Sequence, residues 1–179
     1  MKTLHWLLLV LVGLPIISSA ADSSGADKAA TPESFQIRNH KYHDLLRPKD
    51  ANNATGTPIV LYSPQPWKCM TWKFHPAGES TFQLQNHFTS KTFAADTTAA
   101  SLANPAVHQV PFGKSSDGRP NWKFTKLDDG AYQIMDPKSG QALTATSGAD
   151  GIRIVLAPWS GREEQKWDLL KIDPRDLTM

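Results

Sequence analysis

The chain has 179 residues, with 19 lysines and arginines against 17 aspartates and glutamates, a formal net charge of +2. Nothing in that balance suggests the clustered basic footprint of a nucleic-acid-binding protein. A single cysteine, Cys69, excludes an internal disulfide, so any fold must be held by packing alone.

Met1-Lys2 is followed by the apolar run Leu7-Leu8-Leu9-Val10-Leu11-Val12 and by small residues at Ser18 and Ala20. A short basic start, an apolar core too short to span a bilayer with margin, and a small-residue end predict a signal peptide over residues 1–20. The product is then exported, extracellular or periplasmic, with no later membrane span. Loss of Lys2 leaves 18 basic residues against 17 acidic ones. Residues 21–33, ADSSGADKAATPE, hold no aromatic or branched aliphatic side chain and are expected to form a disordered spacer. One domain is predicted over 34–172, followed by a frayed tail over 173–179.

Within that domain an aromatic-Gln-aliphatic triplet, followed two residues later by Asn or Asp, occurs three times. The copies are Phe35-Gln36-Ile37 with Asn39, Phe82-Gln83-Leu84 with Asn86, and Tyr132-Gln133-Ile134 with Asp136, spaced by 47 and 50 residues. A large apolar residue lies eleven positions after each opening aromatic: Leu46, Phe93 and Leu143. Each unit closes on a tryptophan with an apolar residue two positions on: Trp72 with Phe74, Trp122 with Phe124, Trp167 with Leu169. The anchors alternate with polar residues as in strands with one buried face, and turn formers such as Pro137-Lys138-Ser139-Gly140 separate them. Ile59-Val60-Leu61-Tyr62 and Ile154-Val155-Leu156 supply further strands. Each unit therefore reads as four short strands, and a unit of this size must close on its neighbours to bury its apolar face.

Three such repeats with a closing tryptophan resemble the ricin-type lectins, whose repeats end in Gln-x-Trp. Gln165-Lys166-Trp167 has that motif in full, whereas Met70-Thr71-Trp72 and Pro120-Asn121-Trp122 lack the glutamine. The resemblance implies an all-β fold, a β-trefoil of three four-stranded repeats with pseudo-three-fold symmetry. It also implies shallow sugar pockets in which an Asp and a Gln bond sugar hydroxyls, an aromatic stacks on the ring, and an Asn adds a bond. Aligned on the anchors, the Asp positions hold Arg47, Ala94 and Thr144, and the Gln positions Val60, His108 and Val155. The platforms are Tyr62, Val110 and Ala157, and the Asn positions Cys69, Arg119 and Glu164. Only the first unit keeps an aromatic. Its predicted ligand-binding residues are Tyr62 as platform, Arg47, Asp50 and Asn52, with Asn53 beside them. Positions that family members join by disulfides pair Leu45 with Pro64, Thr92 with Phe112 and Ala142 with Trp159. Two of these match a small residue to a large ring, as expected of volume compensation. Trp67 has no counterpart in the other units and reads either as a contact residue or as a lid folded onto the core.

No catalytic constellation, metal site or cofactor motif is expected. His40-Lys41-Tyr42-His43-Asp44 reads as a solvated turn because no second ligand set stands at zinc-like spacing. Asp128-Asp129 reads as the turn into the third repeat, and Asn53-Ala54-Thr55 is a glycosylation sequon. The leading expectation is a secreted carbohydrate-binding module acting on a glycan or glycoprotein surface, not an enzyme. The alternative is a protein-binding adhesion or toxin-delivery subunit, because the altered pockets resemble those of the lectin-like subunits of cytolethal distending toxins. Terminal sequencing of exported protein should give Ala21 as the first residue, and recovery of intact Met1 in a membrane fraction would contradict the leader.

Overall fold

The computed structural model describes residues 32–96, 103–113, 120–148 and 151–179. The predicted leader, the spacer up to Thr31, and Arg119 lie outside the described residues. Twelve strands are described, four in each predicted repeat. The first repeat holds β1 (Glu33–Asn39), β2 (Leu45–Pro48), β3 (Ile59–Tyr62) and β4 (Thr71–Gly78). The second holds β5 (Thr81–Asn86), β6 (Thr92–Ala95), β7 (Val107–Val110) and β8 (Trp122–Lys126). The third holds β9 (Tyr132–Met135), β10 (Ala142–Gly148), β11 (Gly151–Ala157) and β12 (Lys166–Lys171). β1 begins at Glu33, one residue before the expected domain start, because Glu33 already pairs with Phe74.

The first and last strands of each repeat close a six-stranded antiparallel barrel, in the order β1, β12, β9, β8, β5, β4 and back to β1. Closure leaves no free barrel edge. The middle strands form the hairpins β2–β3, β6–β7 and β10–β11. These meet one another through Val60 opposite Arg153, Pro58 opposite His108 and Ala106 opposite Val155. A barrel capped at one end by three hairpins is the β-trefoil.

One hydrogen bond recurs in all three repeats. The indole N–H groups of Trp72, Trp122 and Trp167 donate to the carbonyls of Leu46, Phe93 and Leu143 at 3.1, 3.3 and 3.0 Å. Each tryptophan is fully buried or nearly so, and each bond ties a barrel strand to the cap hairpin of its own repeat. The other polar anchors recur too. Asn39 and Asn86 Oδ1, and the Asp136 carboxylate, accept backbone N–H groups two and three residues on, which closes the turn after each opening strand. Gln36 and Gln83 Nε2 donate to the carbonyls of Gln65 and Gly113 and so fix the loop after the third strand of their repeats.

Replacing any of the three tryptophans by alanine leaves an aromatic-sized cavity and an unpaired buried carbonyl. A loss of about 3–5 kcal/mol is expected, which lowers the thermal midpoint by roughly 2–4 °C per kcal/mol for a chain of this size. Unchanged midpoints in all three variants would break the repeat assignment.

Candidate ligand-binding site

The strand register places the aligned positions opposite one another in every unit. Arg47 faces Val60, Ala94 faces His108, and Thr144 faces Val155. Two residues along, Leu45 faces Tyr62, Thr92 faces Val110, and Ala142 faces Ala157. The pocket positions are thus structurally equivalent, and their side chains differ.

In the first repeat Arg47 is buried, 7% exposed, with its guanidinium carbon 3.9 Å from the centre of the Tyr62 ring. Alternation along β2 and β3 puts both side chains on one face of the hairpin, where a cation over a phenol ring contributes about 0.5–2 kcal/mol. Tyr62 is 43% exposed, and the Trp67 ring lies beside it at 6.0 Å and 28°. Asp50 sits in a 3₁₀ turn with Ala51, both left-handed at φ 54° and 52°. Its carboxylate is 3.9 Å from the Arg47 guanidinium and well exposed. The pair is therefore loose. Arg47 Nε itself has no acceptor among the described residues.

Tyr62, Arg47 and Asp50 are thus brought together, whereas the side-chain oxygens of Asn52 and Asn53 each accept a hydrogen bond from elsewhere. Asn52 Oδ1 accepts the Ala54 N–H and its carbonyl accepts from Gln109 Nε2, while Asn53 Oδ1 accepts from Lys91 Nζ. Gln109, fully buried beside the aligned His108, also donates to the Ala54 carbonyl. It pins the first-repeat loop to the second repeat, a role that the sequence signals only by its place next to an aligned position.

Trp67 takes the lid position over Leu45, Cys69 and Met70. The loop that carries it is clasped by the C-terminal residues, expected from sequence to fray. Thr178 N donates to the Pro66 carbonyl at 2.8 Å and Lys68 N donates to the Thr178 carbonyl at 3.0 Å. An extended stretch with donors on both sides of a Pro-rich loop can pair where proline itself cannot donate.

In the third repeat the aligned Thr144 is tied to a buried glutamine of its own repeat. Gln165 is buried, with Oε1 accepting from Ser160 N at 2.7 Å and Nε2 donating to the Pro158 carbonyl and to Thr144 Oγ1 at 2.8 and 3.1 Å. Glu164 is drawn to Lys41 Nζ at 2.6 Å, which holds its carboxyl below the usual range. Trp159, matched with Ala142 at a disulfide position, and Phe88 are exposed aromatics outside the aligned pocket positions. Phe112 packs on His75 at 4.9 Å. No group of three or more metal-ligating side chains occurs among the described residues, and none of their helices is long and apolar enough to cross a membrane.

No protein-family model and no curated protein matches the sequence. Solved structures do match its architecture. A designed three-fold symmetric protein, ThreeFoil, superposes with a TM-score of 0.70 at 21% identity, over 78% of this chain and 99% of that one. The fold is shared with lectins and toxins. A mosquitocidal holotoxin matches with a TM-score of 0.68 at 14% identity over 82% of this chain. The Polyporus squamosus lectin matches with a TM-score of 0.64 at 16% identity over 79% of this chain. This chain spans 18% of the holotoxin and 49% of the lectin.

Cys69, at the aligned Asn position, is 4% exposed, and burial pushes its thiol above the ordinary value while the Arg47 guanidinium pulls the other way. Folded protein at pH 8 should therefore be alkylated by iodoacetamide far more slowly than denatured protein. Arg47→Met removes the opposing charge and should move the pH midpoint of labelling upward, as followed by mass spectrometry; a downward move would contradict the contact.

Proposed function

We propose that this protein is an exported carbohydrate-binding module, without catalytic activity, that binds acidic sugars weakly through its first repeat. The observation that carries this reading is the exposed Tyr62 ring, backed by the Arg47 guanidinium and flanked by Trp67. A pyranose needs a flat apolar surface and nearby hydroxyl partners. Here the Tyr62 and Trp67 rings offer the surface, and the Asp50 carboxylate and Tyr62 hydroxyl offer the partners. Arg47 has only a loose carboxylate neighbour, so its charge favours a ligand that carries a carboxylate or sulfate. The guanidinium acts mainly through that charge, because it is itself nearly covered. The matching Polyporus squamosus lectin, solved with the acidic epitope Neu5Acα2-6Galβ1-4GlcNAc, supports the sugar class by analogy of fold.

Such a shallow site encloses little of its ligand, so monovalent dissociation constants on the order of 0.1–10 mM are expected. Titration of isotope-labelled exported protein with sialyllactose and with lactose tests the reading. Shifts around Tyr62 should be larger with the acidic sugar. Tyr62→Ala should abolish them, and Arg47→Met should remove the preference for charge. Shifts confined to the second or third repeat would overturn the site. A second reading, a protein-binding delivery subunit, draws on the exposed Phe88 and Trp159 and on the missing pocket Asp in every unit. An absence of shifts with either sugar would favour it.

A further inference from the structure

We propose that the uncapped end of the barrel is a second binding site, for a small aromatic anion. Six of the repeat anchors converge there. Phe35, Phe82 and Tyr132 open the repeats, Phe74, Phe124 and Leu169 follow the closing tryptophans, and together they line a recess of about 610 Å³. Sites for small ligands span roughly 300–1000 Å³ and are mostly apolar with a few polar groups. The capped end of the barrel is filled by Leu46, Phe93, Leu143 and the three tryptophans, whereas at this end Phe35, Phe82, Tyr132 and Leu169 stay only half-buried.

The walls favour a flat aromatic body. Phe35 and Phe74 meet at 4.9 Å and 63°, Phe74 and Phe124 at 5.2 Å and 51°, and Phe82 and Phe124 at 5.6 Å and 81°. Aromatic rings favour such angled or offset contacts, and a further ring can continue that packing. The rim decides the charge. Glu33 is held in an ion pair with Lys171, whereas Lys126, which also lines the recess, has no acidic partner among the described residues. An ammonium beside an apolar hollow favours an anionic head group. The chain's own residues 21–31, ADSSGADKAAT, offer no ring or branched aliphatic side chain to fill it. This site is independent of the sugar site, which lies on the β2–β3 hairpin.

The test uses three probes with one body: naphthalene-2-carboxylate, 2-naphthylmethanol and 2-naphthylmethylammonium, titrated into the labelled exported chain. The carboxylate should shift Phe35, Phe82 and Tyr132 resonances saturably and bind roughly three- to fivefold more tightly than the ammonium, the leverage of one exposed charge pair. Lys126→Glu, a surface change, should reverse that order, and Leu169→Ser should weaken all three probes while the protein still melts cooperatively. Three results would overturn the proposal: no saturable shift at these rings, an unchanged order in Lys126→Glu, or cross-relaxation in the free protein between the Phe35 ring and residues 21–31.

Discussion

The structure depends on one bond repeated three times, from an indole N–H to the carbonyl of the large residue in the second strand of the same repeat. A tryptophan has a single donor, and in a dry core that donor must be satisfied or the ring is better placed elsewhere. Leu46, Phe93 and Leu143 provide the acceptors, and the geometry of each bond fixes how far its hairpin leans over the barrel. Because the three hairpins also touch one another, the lean of one constrains the other two. The cap is therefore a mutual lock. Phe93 sits within this lock, with its ring centre 4.9 Å from both Trp72 and Trp122, and couples the first repeat to the second through side chains alone.

Conserving the lock leaves the chain free to vary everything outside it. The hairpin faces carry Arg47, Ala94 and Thr144 at one position of equal geometry, and each has a different fate. Arg47 is folded onto a ring, Ala94 leaves room, and Thr144 is absorbed into the network around Gln165. A scaffold held by its interior bonds and closed barrel can exchange surface chemistry in one repeat without disturbing the next, as expected where function resides in sites grafted onto a fold.

The repeat architecture was legible in the sequence because barrel and cap demand the same residues at the same spacing: an aromatic and an aliphatic two apart, a large residue eleven on, a closing tryptophan. The equivalence of Arg47, Ala94 and Thr144, and that of Val60, His108 and Val155, was legible for the same reason, whereas the pairing of the two sets across each hairpin came only with the structure. The surroundings of Tyr62 were not. Its neighbour Trp67 lies in a loop without counterpart in the other repeats, and the course of that loop depends on a contact with Thr178, more than a hundred residues away. The hydrogen bonds of the Asn52 and Asn53 side-chain oxygens to Ala54 N and Lys91 Nζ were not legible either, because sequence nearness to Tyr62 says nothing of such partners. The hollow at the barrel mouth was hidden for another reason. Pattern reveals which side chains face inward, and the volume they leave between them depends on how far apart the strand ends splay.

The clasp between the C-terminus and the Pro-rich loop has a practical meaning for handling the molecule. The two backbone bonds of Thr178 hold the segment that presents Trp67 beside Tyr62. A purification handle, reporter or surface tether fused after Met179 would hang its weight on the very residues that frame the candidate sugar ledge. Attachment ahead of Pro32, at the far end of a stretch rich in alanine and serine, leaves the clasp untouched. Immobilised assays built on the two geometries should therefore present different surfaces to the same glycan.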